Sequence, residues 1–80
     1  MNSCLLILAA RFEGRVLLRL DDVCDVLGIQ KQTAYNQLSA GTFPIVMRKE
    51  GKALVCDIRD LAEYLDRQRD AARDGFGVHA

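Results

Sequence analysis

A single histidine, His79, occurs among the 80 residues, and it is the penultimate one. Chain ends usually fray, and without a second imidazole no Ser/His/Asp or Cys/His constellation can be assembled. The six glycines are scattered as turn punctuation. They form no phosphate loop or dinucleotide-binding spacing, and no HExxH occurs. The acidic pair Asp21–Asp22 reads as a helix start rather than as acid/base machinery. A protein that is not an enzyme is therefore expected. Cysteine is sparse too: Cys4, Cys24 and Cys56 are odd in number and too far apart for a disulfide framework or a CxxC metal clip. Cys24 and Cys56 sit among apolar residues and read as small buried hydrophobes. No cofactor and no metal is expected. The longest uncharged apolar run, Cys4 to Ala10, is seven residues, where a membrane span needs roughly 20. No basic segment precedes it, as a secretory signal requires. The expectation is a reduced, cytoplasmic protein without membrane contact. Net charge is missing as well, with eleven Lys/Arg against eleven Asp/Glu, which argues against a general polyanion binder.

Half the residues are apolar and 28% are charged, a globular balance. The length fits one domain, read as residues 1–73, with 74–80 as a mobile tail. A chain this short buries only about 60–65% of its unfolded surface, so stability is modest and self-association helps. Leu5 to Leu8 form a continuous apolar run that suits either a buried strand or a short helix. The good helix formers Leu8-Ala9-Ala10-Arg11 favour helix. Glu13-Gly14 breaks the run, and Arg15 to Leu18 is a short extended stretch.

From Leu20 the pattern sharpens. Leu20, Val23, Cys24 and Leu27 fall at i, i+3, i+4 and i+7, the stripe of an amphipathic helix. Asp21 is its expected N-cap, and Asp22 places negative charge where the helix dipole favours it. Gly28 supplies the left-handed turn that ends this helix. A second helix runs from about Lys31 to Ser39 and stops at Ala40-Gly41. Two short helices joined across Gly28-Ile29-Gln30 are a helix-turn-helix signature, spanning 21–40. Leu27, Ile29, Ala34 and Leu38 are expected to fill the crossing, where the small Ala34 lets the backbones approach.

After Pro44 the period changes from helical to alternating. Ile45 to Arg48 and Lys52 to Cys56 flank Lys49-Glu50-Gly51, a hairpin signal. A hairpin directly after a helix-turn-helix is a wing, assigned here to 45–56. The last helix, 58–73, is capped by Asp57, with Asp60 at N3. It carries the apolar stripe Ile58, Leu61, Ala62 and Leu65, with Glu63–Arg67 and Asp66–Arg69 as pairs on its surface. The fold class is mainly α with a small β-hairpin wing, a winged helix-turn-helix.

Splitting the charge by element changes the meaning of zero. Residues 1–20 carry Arg11, Arg15 and Arg19 against Glu13, a net +2, and the first helix of the motif holds Asp21, Asp22 and Asp25, a net −3. Residues 28–56 carry Lys31, Arg48, Lys49 and Lys52 against Glu50, a net +3, and 57–80 are net −2, with six acids and four arginines. The surface suited to DNA is basic, and the acids lie elsewhere. The candidate DNA-binding residues are Lys31, Gln32, Thr33, Tyr35 and Asn36 on the second helix, with Arg48, Lys49 and Lys52 on the wing. Gln and Asn pair with adenine edges and a Thr methyl meets the thymine methyl. The cations contact phosphates, which position without reading sequence. Four neutralised phosphates give a slope of log K against log salt of roughly −3.6, a modest grip.

The segment "LLRLDDVCDVLGIQKQTAYNQLSAGTFPIVMR" followed by "DIRDLAEYL" resembles the small winged-helix regulators of the excisionase and AlpA-like group, relatives of MerR DNA-binding domains. The matching parts are the LLRL opening, the Val-x-x-x-Leu-Gly-Ile turn, Thr33-x-Tyr35, Gly41-x-Phe43-Pro44 and the closing Asp57-Ile58, Leu61 and Tyr64-Leu65. With its N-terminal "LLILAARFEGR" and terminal "DLAEYLDRQRDAA", the chain looks like the phage-associated pyocin-activator family. The resemblance implies a bacterial or prophage regulator or excisionase that binds double-stranded DNA as a homodimer or a cooperative assembly. Two departures stand out: Gln30 occupies the capping position often held by Ser, and the helix after Tyr35 lacks the group's basic residues. A second class of function follows from that uncharged helix. It is a protein-interaction module, antirepressor-like, that binds another phage or host regulator.

Overall fold

The computed structural model describes residues 3–77, and side-chain environments from Cys4 to Gly75. The element order is α1 (Ser3–Arg11), β1 (Leu17–Arg19), α2 (Leu20–Leu27), α3 (Lys31–Ala40), β2 (Arg48–Glu50), β3 (Ala53–Asp57) and α4 (Ile58–Ala72). The strands form one antiparallel sheet in the order β1-β3-β2. This is a winged helix-turn-helix.

The apolar run near the N-terminus is helical. Leu8 and Phe12 are buried at i and i+4, while the preceding Leu6 and Ile7 face outward, 61% and 68% exposed. The run is continuous in sequence but only one side of it is covered, which is why periodicity alone left it open. That side packs on α4, where Leu8, Phe12, Leu61 and Ala62 join Leu18, Val23 and Cys56 in the main core. Leu18, Leu61, Val23 and Cys56 are almost wholly enclosed. Burial pushes the Cys56 thiol up to about 11, so it behaves as a hydrophobe.

Three local features differ from expectation. The extended stretch before α2 is a strand of the wing's own sheet: Leu17, Leu18 and Arg19 pair with Asp57, Cys56 and Val55. Because β1 runs straight into α2, the N-cap is Arg19 rather than Asp21. An arginine cannot accept from the helix, so the closing bond comes from the other direction, with the Arg19 backbone N–H donating to Asp22 Oδ2 at 3.1 Å. The hairpin turn is also shifted. Glu50 pairs with Ala53, leaving a two-residue loop, Gly51-Lys52, instead of Lys49-Glu50-Gly51, and Ile45 to Met47 lie outside the strand. Gly51 sits at the first loop position with φ 65°, the arrangement of a type II′ turn, whose twist matches the strands.

The cap of α4 is the one expected. Asp57 Oδ1 accepts from the Arg59 backbone N–H at 2.8 Å, and the Arg59 guanidinium folds back onto the same carboxylate at 2.6 Å. These bonds favour the charged carboxylate and hold its pKa at about 2. On the outer face of α4, Arg67 bridges Glu63 at 2.8 Å and Arg73 bridges Asp70 at 3.0 Å. Residues 73–77, mostly within the stretch expected to form a patternless tail, continue from α4 as a π-helical turn. Residues 78–80, the end of that tail, lie outside the described residues. Among the described residues no helix is long and apolar enough to cross a membrane.

Candidate nucleic-acid interface

The site is built by the turn between α2 and α3. Gly28 takes φ 71°, and both its N–H and that of Ile29 donate to the Cys24 carbonyl, at 2.8 and 3.1 Å. This closes α2 and redirects the chain within two residues. A second, smaller core holds the new direction. Leu20, Cys24 and Ala34 are buried together, with Ile29, Leu38, Phe43, Met47 and Leu54 around them. Ala34 is fully enclosed, so a larger side chain there has no room without moving α3 away from α2. Leu54 comes from β3, and the same cluster therefore fixes α3 relative to the wing.

Between α3 and the wing lies an open groove of about 640 Å³. Its lining includes four cations, Arg19, Lys31, Lys49 and Lys52, two acids, Asp21 and Glu50, and the Tyr35 ring, over a floor of Leu20, Ala53 and Leu54. The lining is thus net +2. Of the residues singled out in the sequence, Lys31, Tyr35, Lys49 and Lys52 converge here from two elements. Gln32, Thr33 and Asn36 lie on exposed α3 surface outside the groove. Gln32 Nε2 donates to Asn36 Oδ1 at 3.0 Å, an i,i+4 bond that preorders two amides suited to base edges.

Arg48 is separated from the other wing cations. It pairs with Val55, one step further from the hairpin turn than Lys49, which pairs with Leu54. It does not line the groove and sits 3.8 Å from Glu50. Arg19 takes its place, a residue that sequence reasoning assigned to the N-terminal stretch. The signal available was its position immediately before the first helix of the motif, but only the pairing of β1 with β3 brings it beside the wing.

Lys31 is present but engaged. Its Nζ lies 2.9 Å from Asp21 Oδ1 and 5.9 Å from the centre of the Tyr35 ring. The Asp21 carboxylate raises the Lys31 pKa above the ordinary lysine value. Lys49 and Lys52 have no ion-pair partner among the described residues, so the wing carries the free positive charge. As expected from its chemistry, Gln30 caps α3 without a side-chain bond. Among the described residues no group of three or more His, Cys, Asp or Glu is placed to hold a metal.

Residues 17–69 match a family model described as "Helix-turn-helix domain". The match runs from β1 into α4 and so contains the whole groove. No curated protein and no solved structure matches the chain.

Proposed function

The chain belongs to this helix-turn-helix domain family, a family of DNA-binding domains, and on that premise we propose that it is a sequence-specific regulator of double-stranded DNA. The observation that carries the reading is the groove that brings Lys31 and Tyr35 of α3 to the same side as Lys49 and Lys52 of the wing. In the proposed complex α3 enters the major groove, with Gln32, Thr33 and Asn36 toward base edges, and the wing lies on the adjacent backbone. Three cations without an ion-pair partner among the described residues, Arg19, Lys49 and Lys52, give a salt slope of about −2.7 while Lys31 stays on Asp21. One copy with that grip falls short of operator affinity, so the active form is a homodimer or a cooperative array in the cytoplasm. The Leu17 to Leu65 motif set supports a prophage regulator or excisionase of the AlpA-like, MerR-related kind, related to pyocin activators.

A mobility shift on DNA flanking its own gene, run across a salt series, tests this. Retarded bands that weaken with salt are expected, and absence of binding at low salt overturns the reading. Footprints over adjacent direct repeats support an excisionase, and a palindromic footprint supports a repressor or activator. A second reading, an antirepressor-like interaction module, is favoured by the outward-facing Leu6 and Ile7, by Val16 and Val46 at 56% and 73% exposure, and by the engagement of Lys31 with Asp21. Its test is recovery of a stoichiometric regulator partner in the absence of DNA.

A further inference from the structure

We propose that Asp21 is a specificity-determining residue, which holds Lys31 in the free protein and so weakens binding to non-cognate DNA. The inference rests on the DNA-binding reading above. Lys31 is the only cation of α3, and its ammonium is 2.9 Å from Asp21 Oδ1. Asp21 is not needed to start α2, because Asp22 already accepts from the Arg19 N–H. Both partners are more than half exposed, 52% and 64%, and an exposed pair of this kind contributes little to stability. Its electrostatic effect at the groove is larger. The pair presents no net charge to an approaching phosphate, and a phosphate must displace a carboxylate before Lys31 becomes available.

The consequence differs between complexes. Non-cognate DNA is held almost entirely by phosphate contacts, and a loosely docked phosphate competes poorly with a carboxylate already in contact. A cognate site, where base contacts by Gln32, Thr33 and Asn36 draw α3 to full depth, brings the phosphate close enough to exchange partners. Asp21 thus lowers the non-cognate term more than the cognate one, and specificity is the difference between the two.

The test uses the full chain and fluorescence anisotropy with two duplexes, one of random sequence and one from the flanking DNA. Asp21→Asn is close to isosteric at an exposed position and is expected to melt with the wild type. It should bind random duplex on the order of tenfold more tightly at about 50 mM salt, with a slope steeper by about 0.9. The gain on the flanking duplex should be smaller, and in a Lys31→Gln background the gain on random duplex should shrink to that of removing an unpaired carboxylate. Equal gains on both duplexes overturn the proposal, as does an undiminished gain with Lys31→Gln. If Asp21→Asn loses stability, Asp21→Ser replaces it, and the same unequal gains on the two duplexes support the proposal while equal gains refute it. Wild-type binding left unchanged by Asp21→Asn removes this inference and spares the DNA-binding reading. Failure of wild type and variant alike to bind any duplex removes both.

Discussion

Replacing Lys49 and Lys52 together by alanine isolates the electrostatic part of the proposed interface. Both line the groove, both are exposed, and neither has an ion-pair partner among the described residues. The double substitution therefore removes charge without leaving an acid unpaired, and the fold should be unaffected. If each lysine neutralises one phosphate, the slope of log K against log salt on random duplex, where Lys31 stays on Asp21, falls from about −2.7 to about −0.9. Between about 50 and 200 mM salt, the wild-type advantage then shrinks by about twelvefold. Anisotropy titrations at four or five salt concentrations measure this directly, with thermal melts confirming an intact fold. Arg48→Ala is the internal control, because Arg48 lies outside the groove near Glu50. Its slope should stay close to wild type. Parallel lines for the double variant and wild type, or a larger change from Arg48→Ala, would refute the placement of the wing on the backbone.

Three further outcomes test the scaffold. Asp57→Ala removes the α4 cap and the Arg59 contacts, and chemical denaturation should show a loss of about 1–2 kcal/mol. Asp57 is ionised down to a folded pKa of about 2 against an ordinary 3.8. Its contribution is thus complete above pH 4 and disappears as pH falls through 2, and in acid titration Asp57→Ala should converge on wild type across that window. Leu61→Ala opens a cavity where α1 meets α4 and should cost about 2–5 kcal/mol, a large share of the roughly 4–12 kcal/mol a chain of this size commands. Circular dichroism melts should show a steep drop. Gly28→Ala meets no neighbouring atom but must adopt φ 71°, so equilibrium unfolding should show a loss of about 1–2 kcal/mol from the backbone alone.

Much of the fold was legible because local chemistry determines it. The stripe Leu20, Val23, Cys24, Leu27 gives α2, Gly28 ends it, and the stripe with the Asp57 cap gives α4. The existence of a wing followed from the change of period after Pro44. What misled was competition between equally local signals. Asp21 is a better intrinsic cap than Arg19, yet β1 fixes where α2 can begin. Lys49-Glu50-Gly51 is a reasonable three-residue turn, yet the pairing of Glu50 with Ala53 selects Gly51-Lys52.

By itself, then, the sequence determined the helices, the glycine turn between α2 and α3, the hairpin that follows, and the concentration of positive charge in residues 28–56. Periodicity, capping and turn chemistry operate within a few residues and are readable in order along the chain. Only the tertiary structure decided which cations share a surface. It brought Arg19 to the groove through the pairing of β1 with β3, left Arg48 outside it at the end of β2 away from the hairpin turn, and set Asp21 against Lys31 across the helix crossing. Those relations join residues ten to forty positions apart, through backbone pairing and a core centred on Ala34. A net charge of zero and a local excess of cations were both visible in the letters, whereas the partner of each charge depended on the packing of α2, α3 and the sheet.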